Sequence, residues 1–274
     1  MTVDRRFPRS VEGLPGAALV ALVALVALVA LVPSTAIGAA PFRHERWDKL
    51  LKANVTAEGH VDYGSLKGKD SAELKAYLKE IGDADPEAIG DRNDKKAFWI
   101  NAYNAICIQM IIDAKVPDTI PHAILFGENI FTPRKYRVAG ALRSLDDIEH
   151  RILRKEFKDP RIHAAVVCGA QSCPRLRPAA FTGAKLDAEL DEECRNWVTM
   201  EKTKKGERKN YLDQKAGVYH VSKIFDWYEE DFGGSSEGVL EFLKKYADEA
   251  DRAYLEKQKV RLDHLAYDWS VNSR

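Results

Sequence analysis

Cys168 and His150 carry the residue types from which a nucleophilic site is built. Cys168 follows Arg161–Val167, read as a strand, and is followed by Gly169-Ala170. A strand end of this kind presents a side chain at the rim of a sheet. Arg175 and Arg177 lie shortly downstream, and nearby cations favour a thiolate, the reactive form of cysteine. The small neighbouring residues would let a substrate carbonyl approach backbone N–H groups, as an oxyanion site requires. The competing use of the same sulfur is a Cys168–Cys173 disulfide stapling the loop. His150 comes one turn after Asp146 and Asp147, and a histidine with a carboxylate partner is the composition of a base and its orienter. Asn104 could orient His150 if its helix packs there. Otherwise Asn101 and Asn104, three residues apart on one helix side, hydrogen-bond loop backbone within the core.

Other chemistries are less well served. His163, Cys168 and Cys173 have suggestive metal-ligand spacing, but five residues along a strand put His163 and Cys168 on opposite sides. Cys107 and Cys194 lie on separate helices, so no metal site and no cofactor are expected. Glu201–Lys209 is lysine-rich without interleaved aromatics, which reads as a solvated loop and not as a nucleic-acid patch. The 274 residues carry 42 basic and 42 acidic side chains, which argues against a global attraction to nucleic acid or an anionic membrane. With 45% apolar residues and four cysteines, the chain is neither disordered by composition nor a disulfide-built miniature scaffold.

The elements that must position these groups are mixed. His44–Asn54 and Ser71–Ile81 have amphipathic helical periodicity. Lys95–Ala114 is apolar nearly all round and is read as a buried central helix. Pro117, Pro121 and Pro133 break the segment that follows. Lys135–Leu142 is expected to form a hairpin turning at Ala139-Gly140, and Tyr211–Val221 another turning at Lys215-Ala216-Gly217. Ser144 with Asp147 makes a capping-box-like start for a helix reaching about Lys155. Leu186–Met200, Ser222–Phe232 and Gly238–Tyr246 are further helices. Without a βαβ rhythm or a glycine-rich phosphate loop, the expected class is α+β, with a small and mainly antiparallel sheet.

The N-terminus is a different kind of sequence. Arg5, Arg6 and Arg9 precede an uncharged Ala-Leu-Val run from Gly16 to Val32, followed by Gly38-Ala39-Ala40. A basic start, an apolar core and small residues before a cut after Ala40 read as a secretory signal peptide over residues 1–40. The alternative is an uncleaved membrane anchor. Residues 41–274 then form one globular domain outside the cytoplasm, periplasmic or extracellular, touching a membrane only if the leader is retained.

Several ordered motifs resemble the domain-of-unknown-function 547 family. They are Gly59-His60-Val61-Asp62-Tyr63, Ala97-Phe98-Trp99-Ile100-Asn101-Ala102-Tyr103-Asn104-Ala105 and Ser144-Leu145-Asp146-Asp147-Ile148-Glu149-His150. Ile152-Leu153-Arg154, Arg161-Ile162-His163, Cys168-Gly169-Ala170, Ser172-Cys173-Pro174, Ser222-Lys223-Ile224-Phe225 and Tyr267-Asp268-Trp269-Ser270 follow. The resemblance implies an uncharacterised family that occurs in exported bacterial proteins. It also adds Glu149 to the polar positions, beside Asn101, Asn104, His150, Cys168 and Cys173. Two functions are therefore expected to compete. One is a thiol hydrolase or acyl transferase acting on peptide, isopeptide or other acyl bonds, with Cys168 as nucleophile, His150 as base and Asn104 or Glu149 as orienter. The other is a non-catalytic envelope module for a small molecule or peptide, with a Cys168–Cys173 disulfide and with Asn101, Arg175 and Arg177 at the binding surface.

Overall fold

The computed structural model describes residues 40–115 and 135–274. The leader and Pro117, Pro121 and Pro133 lie outside the described residues. The architecture is α+β, mostly helical with two small sheets.

Helix α1 (Glu45–Asn54), the short α2 (Tyr63–Lys67) and α3 (Ser71–Asp83) surround α4 (Arg92–Asp113). Asp91 starts α4 by accepting from the Asn93 and Asp94 backbones, while the Asp94 carboxylate accepts from the Asp91 N–H. From Lys96 to Ile108 every residue of α4 is buried, so it is the central helix of the larger apolar core. Two of its polar residues, Asn101 and Asn104, are paid for by backbone partners described below.

Strands β1 (Tyr136–Val138) and β2 (Ala141–Arg143) form the first expected hairpin. Ala139 and Gly140 both have positive φ, as a two-residue turn matched to strand twist requires. A wide π-type helix, Asp147–Phe157, comes next. Its start has the expected reciprocal bonds: the Ser144 N–H donates to Asp147 Oδ2 and the Asp147 N–H to Ser144 Oγ, each at 3.0 Å.

The expected strand over Arg161–Val167 is replaced by a 3₁₀ turn, Pro160–Ala164, and an irregular segment. Asp159 accepts from the Arg161 N–H, and Pro160 occupies the first helical position. This cap-and-proline start outweighs the β-prone residues that follow.

Beyond it, α5 (Leu186–Thr199) and α7 (Ser236–Tyr246) pack a second core around Trp197, Phe225 and Phe242. Strands β3 (Tyr211–Asp213) and β4 (Val218–Val221) form the second expected hairpin, and β5 (Arg261–His264) joins β4 in parallel. Between these lie α6 (Ile224–Trp227), a 3₁₀ turn at Glu229–Phe232 and α8 (Glu249–Leu255). The stretch Glu201–Lys209 is not wholly solvated. It folds back on itself at Gly206, and its ends meet as a buried ion pair, Lys209 Nζ to Glu201 Oε2 at 3.0 Å. Among the described residues no helix is long and apolar enough to cross a membrane.

Candidate functional site

The fold brings Cys168, Cys173, Glu149 and His150 to one cleft of about 250 Å³. Its wall also includes Tyr103, His163, Trp227, Tyr228, Tyr267 and Trp269.

Cys168 is positioned through the backbone before it. Asn104, on α4, donates from Nδ2 to the Ala165 carbonyl (2.8 Å) and accepts the Val167 N–H at Oδ1 (2.9 Å). Both ends of its amide are thus committed to the cysteine segment, and Asn104 does not orient His150. Asn101, buried one turn earlier, makes the same clamp on the N–H and carbonyl of Phe181. Gly169 then takes a positive φ, which turns the chain after Cys168. A C-terminal segment straps the loop from outside. The Gln171 N–H donates to the Ser270 carbonyl (2.8 Å), the Ser172 N–H to Asp268 (3.1 Å) and the Asn272 N–H to Gly169 (2.8 Å).

The two sulfurs are in contact, 2.6 Å apart. The Cys168 N–H donates to Cys173 Sγ at 3.0 Å, and the Tyr267 hydroxyl lies 3.3 Å from each sulfur. Both are free thiols in this structure, Cys168 half-buried and Cys173 buried. The shared hydrogen bond with Cys173, with burial, pushes the Cys168 thiol well above its ordinary range. Burial raises Cys173 too, but the bonds from Cys168 and Tyr267 and the Lys209 charge outweigh it and hold that thiol low.

Arg175 and Arg177 are not the cations of this site. Arg175 forms a two-pronged bond with Glu193, at 2.8 Å on both oxygens, and donates to the Ala57 carbonyl. Arg177 meets Glu189 at 3.3 Å and the Ala179 and Ala180 carbonyls. Their acids come from α5, so both guanidiniums brace the loop to that helix and offer little to an acidic ligand. The cation beside Cys173 is Lys209, which donates to its carbonyl.

The opposite wall belongs to the π-helix. Arg154 Nη1 donates to His150 Nδ1 at 2.7 Å, and its other nitrogens grip Asp231 at 2.5 and 3.1 Å. An imidazole accepting at Nδ1 carries its proton on Nε2, which faces Asp146 at 3.5 Å. In this arrangement His150 has no lone pair free to take a thiol proton, and no hydrogen bond joins it to Cys168 among the described residues. His163 Nε2 bonds Asp231 at 2.7 Å. Burial opposes ionisation of Asp231, yet the bonds and charges of His163 and Arg154 hold its carboxyl at about 2. Glu149 accepts the Tyr103 hydroxyl at 2.9 Å, while burial and the Glu149 charge push the nearby Tyr228 phenol up. Tyr228 lies between both histidines, its ring 4.3 Å from that of His163 and 6.0 Å from that of His150. Because the 3₁₀ turn replaces a strand, His163 and Cys168 line one cleft after all. No group of His, Cys, Asp and Glu among the described residues is arranged to hold a metal.

Residues 88–198 match the model of the family described as Protein of unknown function, DUF547. The match supports the DUF547 resemblance. No curated protein and no solved structure matches. The DUF547 segment supplies Tyr103, Glu149, His150, His163 and both cysteines. The aromatic wall, Trp227, Tyr228, Tyr267 and Trp269, comes from beyond it. Trp227 is 45% exposed and stacks on Trp269 at 5.7 Å, while Tyr267 and Trp269 meet at 4.5 Å. The sequence reading gave these aromatics no role. Tyr103, Arg154 and the Tyr267–Trp269 stretch lie inside the DUF547-like motifs, which is the available signal, whereas Asp231 joins Arg154 only through the fold.

Proposed function

We propose that the protein is a binding module acting outside the cytoplasm, and that its cleft holds a small molecule or short peptide above a Cys168–Cys173 disulfide. The contact between the two sulfurs carries this reading. Two vicinal thiols in an oxidising compartment close to a disulfide, which removes the nucleophile that acyl transfer needs. The pairing of Arg154 with His150 Nδ1 supports it further, because it removes the base. Export is supported by the basic, apolar and small-residue order of residues 1–40. The aromatic wall would take an apolar or ring-shaped part of the ligand, and Glu149 with its phenols would take the polar part.

Mass measurement of the purified full chain with and without reductant tests this directly. A two-hydrogen gain confined to the peptide spanning Cys168 and Cys173 is the expected result. Labelling of Cys168 by an acylating thiol probe, lost in His150→Ala, would overturn it.

One observation favours a second reading, thiol-dependent hydrolysis: Cys168, His150 and Glu149 line the same cleft. It requires Cys173 reduced and Arg154 withdrawn from Nδ1. Cys168 Sγ would then bond to the acyl carbon, the leaving group would depart with a proton, and water would cleave the thioester.

A further inference from the structure

The two sulfurs of the cleft are not equivalent. Cys168 is half-buried, whereas Cys173 is 4% exposed. Cys173 Sγ receives a backbone N–H, from Cys168, in addition to the Tyr267 hydroxyl. Cys168 Sγ has only Cys173 and Tyr267 as hydrogen-bond partners among the described residues. Tyr267 also lines a second cavity of about 550 Å³, together with Ser172, Lys209 and Asp268. Of the two cysteines, Cys168 is the more exposed residue and Cys173 has the better-supported sulfur.

We propose that Cys168–Cys173 is a redox-active disulfide that exchanges with small thiols by attack at Cys168. The proposal rests on the disulfide reading above. An incoming thiolate bonds to Cys168 Sγ, the bond between the two cysteines breaks, and its electron pair passes to Cys173 Sγ. The Cys168 N–H and the Tyr267 hydroxyl hold the charge that develops there, and a better-stabilised leaving thiolate departs faster. A second thiolate then attacks the sulfur of the first, releasing a small disulfide and the Cys168 thiolate. Both protein sulfurs take up the protons that the two small thiols lost. The protein is reduced by two electrons and the small thiols are oxidised by two. Attack at Cys173 would require reaching a buried sulfur and expelling a thiolate that has no backbone donor.

The test uses the full chain in native buffer. Acid trapping and non-reducing peptide mapping come first, and a Cys168–Cys173 linkage is expected. The protein is then equilibrated with graded ratios of reduced to oxidised glutathione. Reversible opening is expected, with the trapped glutathione adduct on Cys168 in the parent and in Cys173→Ser. Tyr267→Phe should slow opening about three- to tenfold without a comparable change in melting temperature. A mapped linkage that opens only in denaturant, or an adduct residing on Cys173, overturns the exchange and leaves the binding reading intact. Two free thiols in the first map overturn the binding reading instead. Exchange then requires that oxidised glutathione close the pair through a Cys168 adduct, and failure to close it overturns exchange as well.

Discussion

The two walls of the cleft are built on opposite terms. On the π-helix wall His150, Arg154, Asp231 and His163 form one continuous chain of hydrogen bonds. On the sulfur wall two thiols share one phenol, and a backbone N–H reaches Cys173 alone. The difference teaches where chemistry can start. A group whose lone pairs are all engaged holds shape, because any proton movement must first break a bond. A sulfur with few partners, beside another sulfur, can change its bonding without dismantling its surroundings. A histidine and a carboxylate near a cysteine are therefore not enough to make a base; the nitrogen that must accept has to be free.

The largest effect should come from breaking the polar wall at its hub. Asp231→Ala leaves the Arg154 charge and the buried His163 without their shared partner and should cost about 3 kcal/mol in urea unfolding. Its acid limb is also specific. The native carboxyl, at about 2, lies below its ordinary 3.8, so its contribution is complete above pH 4 and is lost as pH falls towards 2. Melting curves across that window should slope less in Asp231→Asn than in the parent, and parallel slopes would remove Asp231 as the hub.

Asn104→Ala acts on the other wall, from behind. It strands the Ala165 carbonyl and the Val167 N–H and should cost about 2 kcal/mol. It should also loosen the cysteine segment, seen as faster hydrogen exchange over residues 165–168, whereas Asp231→Ala should leave that segment protected. Equal exchange in both variants would show that the walls are not independent.

Tyr228→Phe keeps the ring between the histidines and removes only its hydroxyl, so about 1 kcal/mol is expected. Trp227→Ala should cost no more than about 1 kcal/mol, because the residue is 45% exposed and its ring packs against the rim aromatics Tyr267 and Trp269. A fall in the affinity of any ligand found for the cleft, with stability unchanged, would assign Trp227 to binding.

The local features were the readable ones. The hairpin at Ala139-Gly140, the Ser144–Asp147 start and the apolar α4 each depend on residues close in sequence. So did the Asp159-Pro160 start of the 3₁₀ turn, which signals helix more strongly than the β-prone residues after it signal strand. Arg175 and Arg177 looked free because Glu193 and Glu189 lie eighteen and twelve residues away. The commitment of Asn104 to Ala165 and Val167 spans more than sixty residues. The strap over the cysteine loop depends on partners further still, strand β5 on one more than forty residues back, and no periodicity announces either.

That strap has a consequence for how the protein is made. Ribosomes release Cys168 and Cys173 well before Asp268–Asn272, so during synthesis the loop lacks the carbonyls that later receive Gln171 and Ser172. Tyr267 arrives equally late, so both sulfurs stay uncovered in the nascent chain. In that interval both cysteines are open to thiol reagents, whereas in the folded protein only Cys168 keeps part of its surface exposed.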